Sequence, residues 1–543
     1  MTKAVNACAV ALVGADDNTR TAHAWAFVRS LSGFVPGALD GTLHAALLAV
    51  LETDAAHDVN VARVAATYIR RDQAGEPLDV ESCEPLAVFE NPLAHALLGA
   101  VKNVDLGLEH LITRARRALL LEHAGAAGTR HPALQSVFSW FGQGGSDASA
   151  RMPLMTTFGL QAFTNNYVMT ERADERYLLD RLEAVIQGAG PGVLESHGLT
   201  VLLYAMYRPL ALLVDKNVSA PSPGSLVAPL FTITVSEPRH LEAREPQLIQ
   251  VGKVVDEVSA EVSLPYPRWV GLAPEPEHQF TTFRSQFPLM PERARGSEPV
   301  RMLVAGCGTG SQAASLALQF PEAQVTATDV SRSALAYAQA QAERHGLENL
   351  RFIRNDLVSV GALDGEFDLV ECVSALNHQN VPFAALEALL SVLKPRGLLR
   401  LGLYSEAGRA LVNRGRDRVA SQDREDTHRV RCEYRQRIIE GREPEALLEL
   451  AKGPEFYDAL LFRDLLFPGV EHQFTLPQIQ AWLERCQLRF AGFELPSSDV
   501  EKDYRRRFPK DKRLVSLDSW HDFEQRRPDT FKRMYQFWCV RIA

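Results

Sequence analysis

Two short stretches decide the fold: VAGCGTG at residues 304–310 and VTATDVS at residues 325–331. The first ends an apolar segment that predicts a strand, and it precedes SQAASLALQF, which predicts a helix. An acid, Asp329, follows Gly310 by 19 residues. Glycines let a backbone turn sharply and approach a ligand closely. A glycine-rich turn between a strand and a helix, with an acid after the next strand, is typical of nucleotide-using enzymes.

The residues around these stretches predict strands that alternate with helices. LRFIRND, FDLVECV and GLLRLGLYS read as further strands, and PFAALEALLSVL reads as a helix. Alternation of this kind predicts a parallel sheet with helices on both faces. The terminal MYQFWCVRI alternates as an edge strand does. In such sheets a ligand binds at the carboxyl ends of the strands, where the strand order reverses.

The glycine turn distinguishes between two classes of nucleotide-using enzyme. Gly306, Gly308 and Gly310 give the pattern GxGxG, and Ser311 stands where the dinucleotide pattern GxGxxG requires its third glycine. AGCGTG followed by DVS resembles the class I S-adenosylmethionine-dependent methyltransferases. The resemblance implies an α/β fold with a Rossmann-like sheet of seven strands, mostly parallel with an antiparallel last strand, preceded by a mainly α-helical domain.

The same resemblance implies a set of residues that bind S-adenosylmethionine. The glycine loop would approach the methionine part, the acid after the second strand would take the ribose hydroxyls, and RNDL after the third strand would bind the adenine. Arg268, on PYPRW, would pair with the carboxylate of the cofactor. The predicted cofactor-binding residues are Ala305, Gly306, Cys307, Gly308, Gly310, Gln312, Asp329, Val330, Asn355, Asp356, Leu357, Cys372 and Arg268.

Three further residues are candidates on the side of the methyl acceptor: His378, Tyr404 and Tyr266. His378 follows the fourth strand, and an imidazole can accept a proton near neutral pH. Tyr404 follows the fifth strand, and Tyr266 lies on the PYPRW segment. Each has an alternative interpretation. His378 is then a histidine of a surface loop, and Tyr404 is a half-buried core residue. The PYPRW segment that carries Tyr266 then only packs domains together, with Trp269 as its anchor. In the later loop DLLFPGVEHQFT, Asp464, Glu471 and His472 are interpreted as residues that cap helices and pin the loop, and the alternative is that they line a pocket beside Phe467 and Phe474.

The chain divides into three predicted parts. Residues 1–215 form an α-helical domain that binds a substrate or partner or makes a dimer, and residues 216–299 form a proline-rich connecting region. Residues 300–543 form the methyltransferase domain, with a helical insertion at about 407–475. LGLEHLITRARRALL, LPYPRWVGL, RDLLFPGVEHQFTLPQI and FEQRRPDTFKRMYQFW are similar to a bacterial methyltransferase family with a helical N-terminal half that is often assigned tetratricopeptide repeats. FTNNYV departs from that family, since Asn166 stands where an acid is common.

Composition and charge exclude several classes of binding partner and of environment for this protein. The 543 residues carry a formal net charge of −9, which argues against nucleic acid. No run of about 20 apolar residues predicts a membrane span. The 7 cysteines are scattered, which favours the cytoplasm and predicts no metal site. The sequence thus predicts a methyltransferase that acts on a protein or peptide. A small-molecule acceptor and a catalytically silent scaffold are the alternatives, and a homodimer is a further prediction.

Overall fold

The computed structural model describes residues 2–17, 19–37, 40–72, 75–123, 148–190, 192–214, 218–254, 265–273, 278–286, 299–422 and 425–542. The chain forms two compact units. The helical unit comprises Met1–His240 and Arg424–Leu465, and the sheet unit comprises Leu241–Asp423 and Leu466–Ala543. Among the described residues, no helix combines the length and the apolar composition that crossing a bilayer requires.

Several helices of the helical unit have side-chain caps at their N-termini. The Asp58 carboxylate, for example, caps one helix by accepting a hydrogen bond from the backbone N–H of Asn60. The helices of the first segment are Thr2–Val13, Arg20–Ser30, Gly41–Leu51, Val59–Ile69, Pro85–Val88, Pro92–Ala100, Leu106–His123, Ala148–Thr164, Ala173–Gly188, Val193–Ser196, Gly198–Ala205, Ala228–Phe231 and Glu237–Arg244. A π-helical turn spans Thr232–Ser236.

The second segment of the helical unit contributes the helices His428–Ile439 and Ala459–Leu466, the last of which ends in the sheet unit. Arg435 on the first of these is 1% exposed and makes a bidentate ion pair with Glu109, at 2.6 and 2.7 Å. Asp458 accepts a hydrogen bond from Asn166, at 2.9 Å. Residues 407–475, predicted to be one insertion in the methyltransferase domain, are therefore shared between the two units.

The sheet unit contains seven strands in the order β3-β2-β1-β4-β5-β7-β6. Strands β1 to β5 run parallel, and β7 runs antiparallel to both β5 and β6. This arrangement confirms the predicted fold class. The strands are β1 Val300–Ala305, β2 Ala323–Asp329, β3 Leu350–Arg354, β4 Phe367–Val373, β5 Leu393–Leu403, β6 Leu488–Phe493 and β7 Tyr535–Arg541.

Helices cover both faces of this sheet, and two apolar clusters fill the space between the layers. One cluster includes Leu303, Val370 and Leu401, and the other includes Met302, Val325 and Leu369. The helices are Phe280–Ser285, Ser311–Gln319, Arg332–Arg344, Pro382–Ser391, Ala410–Ala420, Leu476–Arg485, Ser498–Arg507 and Leu517–Arg526. Within the predicted proline-rich connecting region, residues 287–298 lie outside the described part of the chain.

Candidate functional site

The strand order reverses between β1 and β4, so the loops after these strands flank a crevice. The loop after β1 holds three glycines with positive φ: Gly306 at 70°, Gly308 at 54° and Gly310 at 84°. A Cβ on Gly306 would lie 2.2 Å from the Cβ of Ala375, so the loops after β1 and β4 are in direct contact. A Cβ on Gly308 would meet nothing within 4 Å. The backbone at Gly308 therefore borders open space that a ligand can occupy.

Asp329 ends β2 and holds the glycine loop in place. One oxygen of its carboxylate accepts a hydrogen bond from the Gly308 N–H at 2.8 Å, and the other accepts one from the Ser331 N–H at 2.9 Å. Hydrogen bonds to an ionised acceptor are about twice as strong as neutral ones. A carboxylate has roughly four acceptor positions, so it can bond to the loop and to a ligand diol together. The structure thus brings together the two elements on which the sequence prediction rests.

The PYPRW segment is attached to this loop. The Thr309 hydroxyl donates to the Pro267 carbonyl at 2.7 Å, and the Trp269 indole N–H donates to the Thr309 carbonyl at 2.6 Å. Trp269 is buried, as an anchor should be. Tyr266 and Arg268 flank Pro267, are half-buried and lie beside the glycine loop. Their predicted roles toward an acceptor and a cofactor carboxylate stay predictions.

The residues predicted to bind adenine follow β3. Asp356 is half-buried, and its carboxylate accepts a hydrogen bond from the Val358 N–H at 3.2 Å, which begins a 3-10 turn. Leu357 is buried. Asn355 is also buried, and its amide donates to the carbonyl of Val251 at 2.8 Å. This side chain therefore holds another segment of the chain.

Sequence reasoning missed that segment, residues 249–251. It pairs in parallel with the end of β3 through hydrogen bonds from the Arg354 N–H to Ile249 and from the Val251 N–H to Arg354. The Arg354 guanidinium donates to Gln250 at 2.8 Å and to the Val330 carbonyl at 2.9 Å. The segment lies beside the residue that follows Asp329. One signal was available, since the arginine that follows Phe352 and Ile353 at the end of this strand requires a partner if it is buried.

The side chains of other predicted cofactor residues are buried or contact neighbouring groups of the chain, and their predicted roles stay predictions. The Cys372 side chain lies in the core, and burial raises the pKa of its thiol to about 12. Gln312 donates to the buried carboxylate of Glu371. Ala305 is fully buried, so it can offer a ligand little beyond its backbone. Burial raises the pKa of the Cys307 thiol, and the negative charge of Asp329 raises it further, so the thiol stays protonated.

Two of the candidate acceptor residues meet beyond the ends of β4 and β5. The rings of His378 and Tyr404 are 5.8 Å apart, edge to face. The Tyr404 hydroxyl is 2.9 Å from that of Ser374, which has the unusual positive φ of 72°. The Nδ1 atom of exposed His378 lies 3.2 Å from the Val470 carbonyl. A carbonyl only accepts, so Nδ1 is the donor in this contact, and Nε2 is the ring nitrogen left for another partner.

The segment Val470–Phe474, here called the strap, holds these residues from outside. The His472 N–H donates to the Asn377 carbonyl at 2.7 Å, and the Phe474 N–H donates to the Tyr404 carbonyl at 2.8 Å. Together with the Val470 contact, three alternate residues of the strap bond to the ends of β4 and β5. Among the described residues, no group of three or more metal-ligating side chains occurs.

Comparison with known proteins identifies the domain. Residues 302–397 match the model of a methyltransferase domain family. A trans-aconitate 2-methyltransferase of Deinococcus radiodurans is 39% identical over 132 residues, which cover 23% of this chain and 46% of that protein. An uncharacterized protein of Synechococcus sp. is 34% identical over 244 residues, 41% of this chain and 55% of that protein. The chain spans about half the length of these two relatives.

Among solved structures, PKMT2 from Rickettsia typhi in complex with AdoHcy is similar to part of this chain. The match covers 48% of this chain and 52% of that one, with 17% identity and a TM-score of 0.36. The family match confirms the predicted methyltransferase domain, which is an enzyme domain, and it agrees with S-adenosylmethionine as the cofactor. The tetratricopeptide repeats in the N-terminal half stay a prediction.

Proposed function

We propose that this chain transfers the methyl group of S-adenosylmethionine to a side chain of a protein or peptide. One observation carries the proposal: Asp329 ends β2 with its carboxylate bonded to a glycine loop that borders open space at Gly308. A cofactor with a ribose diol and an amino-acid tail fits such a site, because the carboxylate accepts from hydroxyls and the loop presents bare backbone. Bound there, S-adenosylmethionine supplies an electrophilic methyl group.

The residues of the chain hold the acceptor and take its proton. Methyl transfer is an in-line displacement, so orientation supplies much of the rate enhancement. Tyr404, tied to Ser374, presents a hydroxyl and a ring at the edge of the crevice. His378 presents a basic Nε2, since the Val470 carbonyl fixes the proton on Nδ1. As the acceptor bonds to the methyl carbon, the electron pair of the breaking C–S bond stays on sulfur, and the proton of the acceptor passes to Nε2.

The size of the helical unit supports a protein or peptide as the methyl acceptor. The helical unit contains more than 240 residues, far more than a small molecule needs, and arrays of helices offer extended surfaces for partners. The net charge of −9 favours a partner other than nucleic acid. All 7 cysteines are unpaired, which supports a reducing compartment such as the cytoplasm. A small-molecule acceptor is the second candidate, because a matched relative is named for a small molecule.

The test combines binding with transfer. Calorimetry should show that the full chain binds S-adenosylmethionine, and absence of binding would leave only the scaffold alternative. The chain is then incubated with methyl-tritiated S-adenosylmethionine and an extract of cells that lack the gene. Label in the protein fraction supports the proposal, whereas label confined to the low-mass fraction favours the second candidate.

A histidine substitution tests the proposed base. His378→Asn should bind S-adenosylmethionine normally and transfer the label at least tenfold more slowly, within the usual range for loss of a general base. His197→Asn, in the helical unit, is the matched control and should behave as the unmodified chain. Equal transfer by both variants would remove His378 from the mechanism.

A further inference from the structure

The strap has two sides with different partners. Backbone groups of Val470, His472 and Phe474 bond to the ends of β4 and β5. The residues between them extend to the other side, as alternation in an extended chain requires. Glu471 reaches Arg409 and Arg416, and Gln473 exchanges hydrogen bonds with Asn413 at 2.7 and 2.8 Å. The strap thus joins the carboxyl edge of the sheet to the helix Ala410–Ala420 and the residue before it.

Glu471 is the anchor on this second side. Its side chain is 2% exposed, and its two oxygens accept hydrogen bonds from Arg416 at 2.6 and 2.7 Å. Arg409 donates at 3.1 Å, as does the Gln473 amide. Burial alone would raise the pKa of Glu471, but the Arg416 hydrogen bond and the two guanidinium charges outweigh burial and lower it. The carboxylate is therefore charged at neutral pH.

One of these arginines also touches a candidate acceptor residue. The Arg409 guanidinium lies 4.1 Å from the centre of the Tyr404 ring, within the range of a cation–π contact. The negative face of the aromatic ring attracts the positive charge of this guanidinium. The position of Tyr404 is therefore coupled to Glu471 through Arg409.

We propose that Glu471 is a positioning residue that orients Tyr404 through Arg409 and His378 through the strap. The inference deepens the proposed function and rests on it, because it assigns Glu471 a role in presenting the acceptor site. Loss of the carboxylate charge removes the partner that the buried Arg409 and the half-buried Arg416 share. Arg409 then moves away from the Tyr404 ring. The strap loses its anchor, and the Val470 carbonyl no longer fixes the proton on Nδ1 of His378.

The primary test is nitrogen-15 NMR of the histidines in the full chain, with the His378 signals identified by their loss in His378→Asn. The unmodified protein should show His378 mainly as the Nδ1–H tautomer. Glu471→Gln should shift the ring toward a mixture of tautomers and should change the ring signals of Tyr404. Glu471→Asp, which keeps the charge, should retain most of both features. An unchanged tautomer in Glu471→Gln would overturn the proposal.

A matched control separates positioning from general destabilisation. Glu443 in the helical unit is also buried and pairs with an arginine, Arg437, at 2.5 Å. Glu443→Gln removes an equivalent ion pair and should leave the His378 and Tyr404 signals unchanged. If Glu443→Gln alters them as Glu471→Gln does, the effect is general and the proposal fails.

A second variant keeps the test decisive if Glu471→Gln does not fold. Arg409→Gln removes the cation–π contact but keeps the pair between Arg416 and Glu471. It should alter the ring signals of Tyr404 while His378 keeps its tautomer, and unchanged Tyr404 signals would refute the coupling. In calorimetry, Glu471→Gln should bind S-adenosylmethionine within twofold of the unmodified chain and transfer methyl groups at least tenfold more slowly. Failure of the unmodified chain to bind the cofactor would refute the proposed function, while the NMR result would still decide the role of Glu471.

Discussion

Replacement of Asp329 by asparagine tests the site most directly. The carboxylate accepts one hydrogen bond on each oxygen, from the Gly308 N–H at 2.8 Å and the Ser331 N–H at 2.9 Å. Asparagine keeps one acceptor oxygen, and its NH₂ group must face the other N–H donor. The lost charge-assisted bond costs about 1.5 to 3 kcal/mol of loop stability. The ribose would also lose one of its two acceptors.

These losses predict that Asp329→Asn weakens the binding of S-adenosylmethionine by about tenfold to a hundredfold, which corresponds to about 1.4 to 2.8 kcal/mol. Isothermal calorimetry measures this change, and circular dichroism checks that the variant is folded. The control is Asp364→Asn, an exposed acid in the loop before β4, at the opposite edge of the sheet. Equal affinity in both variants would refute the assignment of Asp329 to the cofactor.

Three further predictions concern stability. Gly306→Ala would place a Cβ 2.2 Å from the Cβ of Ala375, on a residue whose φ is 70°. Thermal unfolding should therefore show that the free energy of unfolding falls by about 1 to 3 kcal/mol. A smaller decrease would contradict this packing. The Tyr337 hydroxyl accepts a hydrogen bond from the backbone N–H of Trp269 at 3.1 Å and donates one to the Trp269 carbonyl. Tyr337→Phe removes both bonds, so hydrogen exchange at the Trp269 amide should accelerate. An unchanged exchange rate would argue against this attachment. The lowered pKa of Glu471 means that its charge stabilises the fold above its ordinary pKa of 4.5 and ceases to do so as the pH falls through the lowered value. Urea unfolding should therefore show a gap between Glu471→Gln and the unmodified chain that narrows below pH 4.5, and a constant gap would contradict the assignment.

The parts of the site that the sequence predicted are those that neighbouring residues determine. The strand, the glycine turn and the helix are continuous in the chain, and Asp329 ends the very next strand. Parallel strands joined by a helix bring their carboxyl ends together, so the contact of Asp329 with the loop follows from local order. The terminal strand β7 was likewise readable from alternation in its own residues, but its predicted place at the edge of the sheet was wrong, since β7 pairs with both β5 and β6 and the edge strand is β6.

The parts that were missed depend on contacts distant in the sequence. The strap lies about 90 residues after His378, and its letters carry no period that indicates a partner. The apolar face of the helix His428–Ile439 shows that it packs, but only the ion pair with Glu109 shows which unit receives it. Cys372 was predicted to bind the cofactor, and alternation along β4 puts its side chain on the same buried face as Val370.

The discontinuous helical unit has a consequence for the order of events during translation. Its first segment ends at His240, and its second begins at Arg424, more than 180 residues later. At about 5 to 20 residues per second, a ribosome needs roughly 9 to 37 seconds to make the intervening chain. Throughout that interval Glu109 is synthesised but its guanidinium partner, Arg435, is not. The first helices therefore emerge with an uncompensated anion in their interior, and they can complete their packing only after most of the sheet unit has left the ribosome.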